Sequence, residues 1–174
     1  MSKLVVEEIE DAAGANPYST TVSAEQATTS GTSIDFTGIP AGVKEIKVML
    51  DGVSTNGSSR RQIVIGDAGG FETSGYVGEI DNGIDDTVDA FSSGFIFELG
   101  GGASAVDFGI ITLVLANSSD NTWVMGAQIG DTGSQRTFTS GGAKALSGVL
   151  TQVRISTENG SDTFDAGAAS IQFE

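Results

Sequence analysis

The sequence predicts an all-β protein: an antiparallel β-sandwich of jelly-roll type with a short N-terminal arm. Three observations predict it. Gly is abundant at 25 residues, Pro is scarce at 2, and helix formers are thin outside the first residues, a composition suited to strands joined by tight turns. Apolar and polar residues alternate in short runs bounded by turn signals, the pattern of half-buried strands. The stretch FGIITLVLANSSDNTWVMGAQIGD, residues 108–131, reads as a hairpin that sits mid-sheet and organises the rest.

In that hairpin, alternation sends Ile111, Leu113 and Leu115 to one face and Ile110, Thr112 and Val114 to the other. Trp123, Met125, Ala127 and Ile129 alternate with Val124, Gly126 and Gln128. Between the two runs, Asn117-Ser118-Ser119-Asp120-Asn121 is a cluster of side chains that favour turns by bonding their own backbone. Both faces are apolar, so both are expected to be covered, one by the domain core and the other by a second subunit.

Residues 1–16 differ from the rest of the chain. Leu4, Val5, Val6 and Ile9 form a small apolar cluster among Glu7, Glu8, Glu10 and Asp11, and a short helix or an extended arm would both fit. Ala13-Gly14-Ala15-Asn16-Pro17 ends any regular element. Residues 17–31 read as a Ser/Thr/Ala linker, and residues 32–174 as the sandwich domain.

From Ser33 the strand signals come at regular spacing. Ile34 and Phe36 alternate with Asp35 and Thr37, and residues 38–42 turn the chain. Ile46, Val48 and Leu50 make a half-buried strand, and residues 54–59 a polar loop around Asn56-Gly57. Ile63 and Ile65 form a short strand, Tyr76-Val77-Gly78 a brief strand or a loop anchor, and residues 79–93 an Asp-rich loop. Phe95 and Phe97 resume the strand pattern, and residues 136–140 look like a weak edge strand. Val153 and Ile155 face away from Gln152 and Arg154; after Asn159-Gly160, Ile171 and Phe173 face inward in a last strand. Eight to ten such strands read most economically as a jelly roll.

At 174 residues the chain is one ordinary domain, able to bury roughly 70% of its unfolded surface. It has no Cys and no His, which removes disulfides, thiolate chemistry, the usual general base and the commonest transition-metal ligand. Its net charge of −15 repels phosphate backbones and anionic lipid, so neither nucleic acid nor a membrane is an expected partner. No long apolar run suits a bilayer, and the acidic first residues do not read as a secretion signal.

No catalytic, cofactor-binding or metal site is expected. Ser-Lys chemistry would need Lys44, Lys47 or Lys144, each in a polar, exposed-looking context that would not depress its pKa. Paired carboxylates could in principle cleave a glycosidic bond, but no aromatic cluster lines a substrate groove. Asp81-Asn82-Gly83-Ile84-Asp85-Asp86 offers oxygens to calcium, yet it lacks the closing glutamate and flanking helices of the twelve-residue calcium loop, so a solvated acidic loop is the reading. Gly100-Gly101-Gly102 and Gly141-Gly142 lack phosphate-loop spacing and read as turn glycines. A receptor surface would be sought on loops, near Asn56, Asp85, Asp86 and Ser119, with Trp123 weighed as a sugar-stacking ring against a core or rim residue.

Three segments carry a resemblance: SGTSIDFTGIPAGVKEIKVMLDGVSTNG (residues 30–57), NTWVMGAQIGD (residues 121–131) and LTQVRISTENGSDTFDAGAASIQFE (residues 150–174). They resemble a structural module of tailed-phage and prophage virions, of the tail-fibre or head-decoration type. The start, KLVVEEIEDAAG, is similar to the short segment that attaches such modules to the particle. The resemblance implies a non-enzymatic virion component, assembled in the host cytoplasm, with Leu4, Val5, Val6 and Ile9 docking on capsid or tail proteins. The module stands almost alone here, which favours a short fibre, spike or capsid decoration protein. The alternative is a receptor-binding tip recognising a host glycan or surface protein. A homo-oligomer is expected, taken as a trimer in which three arms act together.

Overall fold

The computed structural model describes residues 20–83 and 88–174. The arm residues Leu4, Val5, Val6 and Ile9, and the loop residues Asp85 and Asp86, lie outside the described residues. In chain order the strands are β1 (Thr21–Val22), β2 (Gln26–Ala27), β3 (Ser33–Thr37), β4 (Glu45–Thr55), β5 (Arg61–Asp67), β6 (Gly70–Phe71), β7 (Val77–Asp81), β8 (Val88–Phe91), β9 (Phe95–Glu98), β10 (Asp107–Asn117), β11 (Thr122–Asp131), β12 (Arg136–Ala145), β13 (Gln152–Thr157) and β14 (Phe164–Phe173). The fold is an antiparallel β-sandwich, as the alternation predicts.

The larger, nine-stranded sheet runs β1-β14-β4-β10-β11-β12-β7-β8, with β2 also on β14; the five-stranded sheet runs β3-β13-β5-β6, with β9 on β5. The large sheet is built around the meander β10-β11-β12. This order does not by itself establish the jelly-roll winding expected from the sequence.

The predicted hairpin is β10-β11, held mid-sheet between β4 and β12. Its inward side chains Ile111, Leu113, Trp123, Met125 and Ile129 are buried with Ile46, Val48, Ile63, Ile65, Phe95, Phe97, Val153, Ile155 and Ile171 in one core between the sheets. Burying that much apolar area is what closes the sandwich. β3 follows its alternation, with Ile34 and Phe36 in and Asp35 and Thr37 out.

Five segments differ from the sequence reading. The linker contributes β1 and β2 to the edge of β14; the Asp-rich loop contains β8; β6 extends the small sheet. The expected weak edge strand is β12, ten residues long and internal, between β11 and β7. The supposed polar loop at residues 54–59 starts inside β4, where Ser54 and Thr55 are buried. A bulge explains this last difference. Gly52 (φ 70°) and Gly167 (φ 86°) sit opposite each other, and a Cβ on Gly167 would lie 2.2 Å from the Gly52 carbonyl oxygen. The irregularity changes the inward positions from Ile46, Val48 and Leu50 to Val53 and Thr55.

Candidate functional site

Strand direction sorts the loops into two ends. Thr55, Asp81, Asp107, Asp131 and Arg136 mark one end of the large sheet; Glu45, Val77, Asn117, Thr122 and Ala145 mark the other. Asn56 and Asp81 therefore share one end, and Ser119 lies at the opposite end. The structure does not bring Asn56 and Ser119 into one site. Asn56 Oδ1 accepts the Thr163 N–H at 2.9 Å, and Ser119 N–H donates to Asn117 Oδ1 at 2.9 Å, so both are engaged in loop structure.

Trp123 is excluded as a receptor-facing residue, and the core reading weighed against it is the one the structure has: it lies near the start of β11 and is only 2% exposed, so its ring faces the core and cannot stack on a sugar. It shares the inward side with Met125, Ala127 and Ile129, and its indole Nε1 finds no hydrogen-bond partner among the described residues.

The Asn56 end holds an open groove of about 710 Å³, lined by Asn82, Gly83, Phe108, Asp131, Arg136 and Thr137 among others. Beneath it lies a charge cluster that bridges the two sheets. Arg61 points inward from β5, on the same side as Ile63 and Ile65. Its Nη1 donates to Asp107 Oδ2 of β10 at 2.8 Å and lies 3.1 Å from Glu98 Oε2 of β9. Its Nη2 reaches Thr55 Oγ1 at 3.2 Å. All three charged side chains are essentially sealed from solvent, Arg61 at 1% exposure and the acids at 0%.

Two buried carboxyls thus share one guanidinium. Burial pushes Asp107 up to about 7, overcoming the pull of Arg61. Burial also raises Glu98, against Arg61 and the Gly100 and Gly101 amides; the Gly101 N–H donates to Glu98 Oε1 at 2.6 Å. Asp131, next along, behaves in the opposite way. Burial pushes it up, but the Ser134 hydroxyl and the amides of Val106, Gly133 and Ser134 outweigh this and hold it low. Arg61 Nε and Asp107 Oδ1 have no hydrogen-bond partner among the described residues.

A second cluster corrects the sequence reading of Lys144. This lysine is buried at 7% exposure, not exposed: Nζ pairs with Glu72, donates to Ala145 O at 2.8 Å and lies over the Tyr76 ring. Ser147 Oγ donates to Glu72 Oε1 at 2.7 Å and to Asp67 Oδ2 at 2.9 Å. Glu72 feels burial pushing it up, but Lys144 and Ser147 bring it down to about 2. A carboxylate that acidic is a feeble proton acceptor at neutral pH. The cluster ties β12 to the segment after β6. Among the described residues no group of three or more His, Cys, Asp or Glu is placed to hold a metal ion.

The burial of Arg61, Glu98 and Asp107 carried a signal that could have been read. Arg61 falls on the Ile63/Ile65 side of its strand and Asp107 on the Ile111/Leu113 side. A charge at a core position needs an opposite charge in the core.

No protein-family model, curated protein or solved structure matches the chain. The resemblance to virion modules rests on the three quoted segments and the N-terminal stretch alone.

Proposed function

We propose that the chain is a non-enzymatic structural protein of a tailed-phage virion, a short fibre, spike or capsid decoration protein attached through residues 1–16. The observation that carries this reading is the way the sandwich uses its polar chemistry. Arg61, Glu98, Asp107, Lys144 and Glu72 are consumed in ion pairs that join strands, and what the domain presents to solvent is broad sheet and loop surface. Such a body works by binding. The quoted segments resemble virion modules, and the net charge of −15 keeps a many-copy protein soluble while particles assemble in the host cytoplasm.

The test is deletion of residues 1–16 in the phage that encodes the chain. The expected result is a folded domain missing from purified particles, scored by mass spectrometry. Normal incorporation overturns the docking role of Leu4, Val5, Val6 and Ile9. Copy number in the same particles separates decoration, with many copies, from a fibre, with few.

The groove at the Asn56 end favours a second reading, a receptor-binding tip. It is a concave site bordered by loops, with Arg136 as its cation and Phe108 as its exposed ring. Binding of the purified chain to host cells, lost on Arg136→Glu, supports that reading.

A further inference from the structure

The sequence reading expected both faces of the central hairpin to be covered, and the structure shows what the second face is made of. On β10, Phe108, Ile110 and Val114 point outward and are exposed, Ile110 at 50%. On β11 Val124 is exposed beside them. No outward position of β10, β11 or β12 carries a charge, in a chain where 18% of residues are charged. Solvated sheet faces normally carry the charge of a soluble domain.

The middle of this face is a pair of glycines, Gly126 of β11 directly opposite Gly141 of β12. The protomer itself does not require them. A Cβ on Gly126 would meet nothing within 4 Å, and one on Gly141 only the Met125 carbonyl at 3.7 Å. Neither has a positive φ. The inward pair Gly78 and Gly142 is different, because there the Phe91 ring lies 2.4 Å and 2.9 Å from the would-be Cβ atoms. Glycine inside a strand with open space above it marks a place where another backbone comes close.

We propose that this face pairs with the same face of a second copy of the chain, about a two-fold axis running along β11. Three observations favour a second copy. The register places Lys47, Thr112, Gly126, Gly141 and Glu79 in one row across β4, β10, β11, β12 and β7. Lys47 and Glu79 stand two strands to either side of Gly126, so the axis sets each Lys47 over the partner's Glu79, and Gly126 over its own counterpart. The size also fits. The face from β14 to β7 spans six strands about 4.8 Å apart and four outward positions about 6.8 Å apart, roughly 800 Å². That is about what each partner contributes to a standard interface. Finally, an isologous pair uses one patch, and the described residues offer one such sheet face, whereas a three-fold ring needs two different ones.

The experiment is sedimentation equilibrium on the full chain at micromolar concentration. Wild type is expected to be a dimer. Gly126→Glu places a charge against its own counterpart and is expected to raise the dissociation constant at least ~100-fold, with an unchanged far-ultraviolet circular dichroism spectrum because the site is open in the protomer. Lys47→Glu and Glu79→Lys each weaken the dimer, and the double exchange restores it. A wild-type monomer overturns the proposal and leaves the face to residues 1–19 or to a partner of another kind. A trimer, or a dimer indifferent to Gly126→Glu, overturns it as well.

Discussion

At the scale of single residues, the decisive side chains are charges at core positions. Arg61 is the only cation beside Glu98 and Asp107 among the described residues. Removing it strands two carboxyls in the interior. Arg61→Leu is expected to cost about 3–5 kcal/mol, measured by urea unfolding. Asp107→Asn is milder, because Glu98 still balances the guanidinium. Trp123 teaches the complementary lesson. Its burial follows from the same alternation that buries Met125 and Ile129. The charge cluster was hard to read because residues 61, 98 and 107 meet only when β5, β9 and β10 are stacked, and no local pattern joins them.

At the scale of elements, the strands that were legible own a strong period. β3, β10, β11 and β13 alternate cleanly and were found. β12 contains Thr, Ser, Gly and Ala where apolar residues would reveal a period, so it looked weak; its place between β11 and β7 is set by its neighbours' edges. β1 and β2 are two residues each and exist because β14 offers an edge, a tertiary cause that composition does not carry. β12 also shows why a small residue holds its position. Gly142 lies under Phe91, and a Cβ there would also sit 2.8 Å from the Val77 carbonyl oxygen. Gly142→Val is expected to lose about 1–3 kcal/mol through overpacking, read as a lower urea midpoint with an unchanged slope.

For the whole molecule, the buried and ion-paired carboxyls set opposite pH limbs. Asp107 is raised from 3.8 to about 7, so its contribution to stability is full below its unfolded pKa and is lost as pH rises through about 7. Glu72 is lowered from 4.5 to about 2, so its contribution is present above 4.5 and is lost as pH falls through about 2. The melting temperature should therefore be highest near pH 4, between these limbs. It should fall as pH rises from there to about 7 and again as pH falls toward about 2. Asp107→Asn should flatten the alkaline limb and leave the acid one, which separates this group from the general relief of a −15 charge on acidification.

The rim formed by β1 and β2 has a mechanical consequence. Thr21 and Val22 pair with Phe173 and Gln172, Ser23 N–H bonds Ile171 O at 2.8 Å, and Thr28 N–H bonds Gly167 O at 2.9 Å. A load arriving through residues 1–19 meets this border before it meets the core. Pulled outward, the border peels a few bonds at a time and lengthens the tether by the slack between Thr20 and Ser33. The stacked layers behind it stay shut, so, were residues 1–16 the attachment arm proposed above, the rim would act as a strain-relief coupling between that arm and the body.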